Sequence, residues 1–126
     1  MKSKYHLLTF LLSLSLFFGC QSQQEAKITK IDKTYLKENV IGKQVQLVDV
    51  RTAEEYEVGR IGDAVNFNVV QGDEFLEQIK TLDKSKPVYL YCKAGGRSNR
   101  AAELLKAEGF TQIFDYSGGY NDWVQE

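Results

Sequence analysis

Short apolar runs alternate with stretches of helical spacing along this chain, and the alternation restricts the possible fold more than any other feature. Val45-Gln-Leu-Val-Asp-Val50 is apolar on both faces, as a strand buried in the middle of a parallel sheet should be. Pro87-Val-Tyr-Leu-Tyr91 is a second such run, with the only proline at its mouth, where a missing donor does least harm. Lys27 to Ile31 reads as a short first strand, Ala64 to Val70 as a third and Gln112 to Tyr116 as the last. Between them lie helical patterns. Asp32 to Asn39 is weakly helical. Thr52-Ala-Glu-Glu55 has the form of a capping box, opening a short helix that Gly59 stops. Asp73 to Leu82 places Phe75, Leu76, Ile79 and Leu82 on one side. Ser98 to Glu108 turns Ala101, Leu104 and Leu105 inward and ends at Gly109, and a terminal helix beyond Gly118-Gly119 would bury Trp123. This order predicts an α/β domain with a central, mainly parallel five-stranded sheet flanked by helices.

A chain of 126 residues has room for one such domain, and the first 19 residues read as something else. Lys2 and Lys4 precede an apolar stretch from Leu7 to Phe18, which is short of the roughly 20 residues that span a bilayer. That is the layout of an export signal; the alternative is an uncleaved, slightly short membrane anchor. Gly19-Cys20 resembles the cleavage box of bacterial lipoproteins, although Phe17 and Phe18 stand where that box usually has an aliphatic and a small residue. The polar tract Gln21 to Ala26 suits a tether. The expectation is a signal peptide over 1–19, a lipid-anchor tether over 20–26 with Cys20 lipidated, and a domain over 27–126. The protein would then be exported and held to a bacterial membrane by lipid alone, facing the periplasm or the cell exterior.

Processing narrows the chemistry. His6 is the only histidine and lies in the signal, so the mature chain can use neither a histidine base nor a histidine-ligated metal. With Cys20 consumed by lipid, Cys92 is the only free thiol and no internal disulfide can form. Losing Lys2 and Lys4 from 16 basic and 17 acidic residues leaves a net charge of −3, which offers nothing to nucleic acid. No patch in the sequence picks out a protein partner.

The Pro87–Tyr91 run delivers Cys92 into the loop Cys92-Lys-Ala-Gly-Gly-Arg97. Gly95 and Gly96 allow the backbone to curl so that successive N–H groups converge. A helix starting near Arg97 adds the positive end of its dipole. Such surroundings favour a thiolate, lowering a cysteine pKa from about 8.5 toward roughly 3.5–7.5. The competing reading is a buried structural cysteine.

Four stretches then resemble one family, the single-domain rhodanese-like proteins. They are Val48-Asp-Val-Arg51 with Glu54-Glu-Tyr56, Gly59-Arg-Ile61 through Ala64-Val-Asn66, Cys92 to Ser98, and Tyr116-Ser-Gly-Gly119 with Trp123. Together they span Lys27 to Glu126. Arg60 stands where the family commonly has histidine, and the proline expected after Ile61 is missing. The resemblance implies the three-layer rhodanese-like fold and sulfur transfer without metal or cofactor. In that scheme Cys92 attacks the outer sulfur of an anionic donor such as thiosulfate, becomes a persulfide and yields the sulfur to a thiol or cyanide-like acceptor. The N–H groups from Lys93, Ala94, Gly95, Gly96 and Arg97 would cradle the sulfur anion, Lys93 would make the rim cationic, and Arg97 would hold the loop or attract the anion. Related phosphatases have five residues between cysteine and arginine; this chain has four, Lys93 to Gly96, and the tighter loop favours sulfur over phosphate.

Several residues carry two readings. Asp49 and Arg51 end a strand on the side where α/β sheets place their sites, or form a structural ion pair, Arg51 with Glu55 or Asp63. Arg100 extends the positive rim or is a solvated helix charge. Tyr116, Tyr120 and Trp123 are core or pocket wall, and Glu54, Glu55 and Glu57 a solvated helix face. A non-catalytic binding module, or a sulfur carrier within a protein complex, is the alternative to an enzyme. A thiol–disulfide oxidoreductase lacks a second cysteine to resolve the mixed disulfide.

Overall fold

A computed structural model describes residues 24–126; the expected signal peptide, the lipidation site Cys20 and the start of the tether lie outside the described residues. In chain order the elements are β1 (Lys27–Lys30), α1 (Lys33–Asn39), β2 (Gln46–Asp49), α2 (Ala53–Val58), β3 (Val65–Asn66), α3 (Asp73–Ile79), β4 (Val88–Tyr91), α4 (Gly96–Ala107), β5 (Gln112–Tyr116) and α5 (Gly119–Trp123). The sheet order is β1-β5-β4-β2-β3, and all four pairings are parallel. The five-stranded α/β fold expected from the alternation is the one observed.

Side-chain alternation along the strands divides the core into two layers. On one face Val48, Val50, Leu90, Cys92 and Ile113 meet Phe75 and Ile79 of α3 and Ala101, Ala102 and Leu105 of α4. On the other, Leu47, Tyr89, Tyr91 and Tyr116 meet Leu36 and Val40, with Tyr120 and Trp123 packed against them. Every residue of β4 is buried, which explains its unbroken apolar run. Fully buried side chains such as Phe75 and Leu105 each contribute about 1.5–3 kcal/mol of transfer free energy. The Thr52 capping box is present with Glu55 as its partner, and Asp32 caps α1 by accepting from the Tyr35 N–H at 2.8 Å.

Three boundaries differ from the sequence expectation by two residues or more; α3, expected over Asp73 to Leu82, ends at Ile79. The third strand, expected over Ala64 to Val70, holds only Val65 and Asn66. The chain then leaves the sheet edge, where the Phe67 N–H donates to Asp49 O at 3.0 Å and the Val69 N–H to Val50 O at 3.2 Å. Asn68 caps a single 3-10 turn over Val69–Gln71. Val69 is buried and Val70 is 62% exposed, so the apolar run reflects one buried anchor and not a continuous strand. The remaining difference is that α4 starts at Gly96, two residues before Ser98, bringing its first turn under the cysteine loop.

Candidate active site

β4 ends at Tyr91, and the next residue, Cys92, points to the face covered by α3 and α4, where it is 1% exposed. The Gly95 N–H donates to Cys92 Sγ at 3.1 Å, and Ser98 Oγ lies 3.6 Å from the same sulfur. Ser98 is itself buried and its hydroxyl also reaches Gly95 O at 3.1 Å. What turns the loop's N–H groups toward the sulfur is a distant segment. At the start of α5 the Tyr120 N–H donates to Cys92 O at 2.8 Å and the Asn121 N–H to Lys93 O at 3.0 Å. In a planar trans peptide the carbonyl and the following N–H point opposite ways. Anchoring those two carbonyls on α5 therefore aims the Lys93 and Ala94 N–H groups away from it.

Two glycines permit this contact. Gly95 has φ +104° and a Cβ there would stand 2.6 Å from Ser117 O; at Gly119, with φ +66°, it would stand 2.6 Å from both Cys92 O and Lys93 O. Burial pushes the Cys92 thiol pKa up. The hydrogen bonds from the Ser98 side chain and from the Ser98, Gly95 and Ala94 backbone outweigh it, so the thiol lies below its ordinary value. Of the expected cradle, the Gly95 N–H reaches the Cys92 sulfur and the Ala94 N–H also favours its thiolate, while Lys93, Ala94 and Gly96 are exposed at the lip.

Arg97 takes the holding role of the two expected for it. Its guanidinium donates to both oxygens of Glu55, at 2.6 and 3.0 Å, a bidentate pair that ties α4 to α2. The Arg97 hydrogen bond is the main cause that draws the Glu55 carboxyl down to about 2. Glu55 is therefore not part of a solvated acidic face, whereas Glu54 and Glu57 are exposed. Arg100 is exposed on α4, one turn beyond.

Asp49 and Arg51 form the structural pair, and with each other: Arg51 does not pair with Glu55 or Asp63. Arg51 Nη2 donates to Asp49 Oδ2 at 2.6 Å and to Gly59 O at 2.6 Å. The Tyr91 hydroxyl donates to Asp49 Oδ2 at 2.6 Å and accepts from the Ile61 N–H at 2.9 Å. The Arg51 guanidinium lies 4.3 Å from the Tyr120 ring centroid. A Cβ at Gly59 would come within 2.1 Å of the Tyr120 hydroxyl, so this glycine answers to crowding as well as to the end of α2. Burial works against the Arg51 charge, but the hydrogen bond and charge of Asp49 outweigh it and raise its pKa. Asp49 shares the face of Tyr91, opposite Cys92, so this network steadies Tyr120, and through it α5, without touching the sulfur. The exposed Arg60, where the family commonly has histidine, stacks its guanidinium 4.1 Å from the Tyr56 ring centroid.

Sequence reasoning assigned Glu55, Gly119 and Ser98 no role at the cysteine loop.

The sequence matches the rhodanese-like domain family over residues 32–126. The uncharacterized protein YqhL of Bacillus subtilis is 41% identical over 81 residues, 64% of this chain and 62% of YqhL; this chain thus spans less than two thirds of that relative. Thiosulfate sulfurtransferase GlpE of Coxiella burnetii is 31% identical over 81 residues, covering 64% of this chain and 73% of GlpE. The crystal structure of a rhodanese-like domain protein from Staphylococcus aureus superposes with a TM-score of 0.68 at 31% identity, covering 78% of this chain and 93% of the other. With fold, cysteine loop and sequence in agreement, this chain belongs to the rhodanese-like domain family.

Proposed function

We propose that the protein is a sulfurtransferase that carries sulfane sulfur on Cys92, taking it from a small anionic donor such as thiosulfate. The observation that carries this reading is the buried Cys92 sulfur held by the Gly95 N–H at 3.1 Å beneath an exposed loop lip. In the first step the Cys92 thiolate attacks the outer sulfur of thiosulfate. A new S–S bond forms, the donor's S–S bond breaks, and sulfite leaves with the electron pair. In the second an acceptor nucleophile, a thiolate or cyanide, bonds to the outer sulfur and the Cys92 thiolate is released. The negative charge stays on sulfur within the same ring of N–H donors throughout; donors of this kind are worth about 3–4 kcal/mol in oxyanion sites. The Arg97 guanidinium, engaged by Glu55, is not spread beneath the loop as a phosphate clamp, which fits sulfur better than phosphoryl transfer.

The test is mass spectrometry of the soluble domain after incubation with thiosulfate. A gain of one sulfur atom, removed by cyanide and absent in Cys92→Ser, supports the proposal. A thiol unmodified across several donors supports a binding or carrier module. The envelope location, with a lipid on Cys20, is proposed from the sequence. Radiolabelled fatty acid should enter the full-length protein and be lost in Cys20→Ala, and label that persists overturns the anchor.

A further inference from the structure

Ser98 is 0% exposed and stands on the first turn of α4, beneath the cysteine loop. Two neighbours use its hydroxyl. The Cys92 thiol donates to Ser98 Oγ across 3.6 Å, a reach open to the larger sulfur atom, and the Ser98 O–H donates to Gly95 O at 3.1 Å. That carbonyl does not depend on Ser98, because it also accepts from the Asn99 N–H at 3.0 Å. From the other side of the same residue, the Gly95 N–H donates to the sulfur at 3.1 Å. The charged groups around the pair are Arg97 on α4, which acts on Cys92 and is engaged by Glu55 of α2, Lys93 at the exposed lip, and Asp115, buried on the same face of β5. The α3 helix presents Phe75 and Ile79 to this layer.

Ionisation breaks the arrangement at one place. A thiolate has no proton to give, so Ser98 Oγ loses its donor, and the charged sulfur becomes a stronger acceptor than a neutral carbonyl. A serine hydroxyl turns to suit its partners. Turning the O–H from Gly95 O to the sulfur leaves the carbonyl paired, since Asn99 still serves it. We infer that Ser98 is a catalytic residue whose hydroxyl changes acceptor with the charge on Cys92, donating to the Gly95 carbonyl beside a thiol or persulfide and to the sulfur beside a thiolate. Ser98 keeps its own proton throughout, and the thiol proton goes to a base in solution. In the loaded state the negative charge has moved to the outer sulfur, so the inner one no longer holds the hydroxyl. During discharge the acceptor bonds to the outer sulfur, the S–S bond to Cys92 breaks, and its electron pair returns to Cys92 Sγ. The O–H swings onto that sulfur as the charge arrives. Stabilising a thiolate makes it a better leaving group and a weaker nucleophile, so Ser98 assists discharge and not loading. This deepens the sulfurtransferase reading and rests on it for the discharge step.

The test is Ser98→Ala in the full-length protein, with modification of Cys92 read by peptide mass spectrometry. Loss of the hydroxyl should raise the thiol pKa by about one unit, slowing iodoacetamide alkylation about tenfold at a pH below both titrations. At a pH above both, cyanide discharge of the persulfide should slow about threefold, while loading from thiosulfate stays level or quickens by up to about threefold. An unmoved alkylation profile overturns the inference, as does a variant slowed equally in loading and discharge. Alkylation uses no sulfur donor, so a protein that never loads refutes the sulfur reading and leaves the Cys92 profile to decide the role of Ser98. Should the variant fail to fold, the Ser98 hydroxyl proton resonance of the unaltered protein decides: it must shift as the thiol ionises, and a resonance that stays in place overturns the inference.

Discussion

Two neighbouring glycines in the cysteine loop should respond to alanine in opposite ways. At Gly95, alanine would have to hold φ +104° with its Cβ 2.6 Å from Ser117 O, a backbone atom that cannot swing aside. The conformation costs about 1–3 kcal/mol, and relieving the overlap adds a similar amount, about 1–3 kcal/mol. Relief means moving the Gly95 N–H from its 3.1 Å contact with Cys92 Sγ. A hydrogen bond to a charged group is worth about 1.5–3 kcal/mol, so the thiol pKa should rise by about one to two units. At Gly96, the first residue of α4, a Cβ meets nothing within 4 Å and φ is not positive. Gly96→Ala should therefore be neutral or stabilising by about 0.4–1 kcal/mol and leave the thiol alone. Urea denaturation reads the stability and the pH profile of iodoacetamide alkylation reads the thiol. Equal effects at the two positions, or a Gly95→Ala thiol that titrates as before, would refute the loop argument.

Glu55→Gln should remove the bridge between α2 and α4. The folded Glu55 pKa, about 2, lies below the ordinary 4.5, so its contribution is complete above about pH 4.5 and lost as pH falls toward 2. With both side chains more than a quarter exposed, solvent screening leaves about 1 kcal/mol. Urea midpoints of the variant should accordingly vary less than those of the parent between pH 5 and 2, and parallel curves count against the bridge. Tyr91→Phe strands the buried Ile61 N–H and removes one donor from Asp49 Oδ2, which keeps Arg51, costing about 1–3 kcal/mol in denaturation while leaving the alkylation profile in place; a shifted profile would join the Asp49 network to the chemistry. Arg51→Ala should cost about 3–5 kcal/mol, because Asp49 is left charged and buried, and a stability loss under 1 kcal/mol would contradict the pairing.

The sequence reveals most where one residue pattern has one physical meaning. The apolar runs of β2 and β4 and the Thr52–Glu55 capping box were legible because burial and local hydrogen bonding leave few alternatives. The cysteine loop was legible for the same reason, since glycine, cysteine and a following helix have few other uses in that order. Ala64 to Val70 misled because an apolar run does not distinguish a strand from an edge turn with one buried anchor, Val69. Partnerships were the least legible. Arg97 lies 42 residues from Glu55 and Tyr91 lies 42 residues from Asp49, so these partnerships are decided by where α2 falls against α4 and by the register of β2 against β4. The hold of α5 on the loop uses backbone N–H groups, which leave no mark on residue type except the space required at Gly119.

That hold gives the protein a maturation order. Tyr120 and Asn121 follow the cysteine by 28 and 29 residues, yet their N–H groups fix the peptide planes at Cys92 and Lys93. While synthesis is still under way, the chain already contains the cysteine but lacks the clasp that aims the loop's donors at it. The aim of the donors therefore arrives with α5, and a chain interrupted before Tyr120 would hold the cysteine without its clasp.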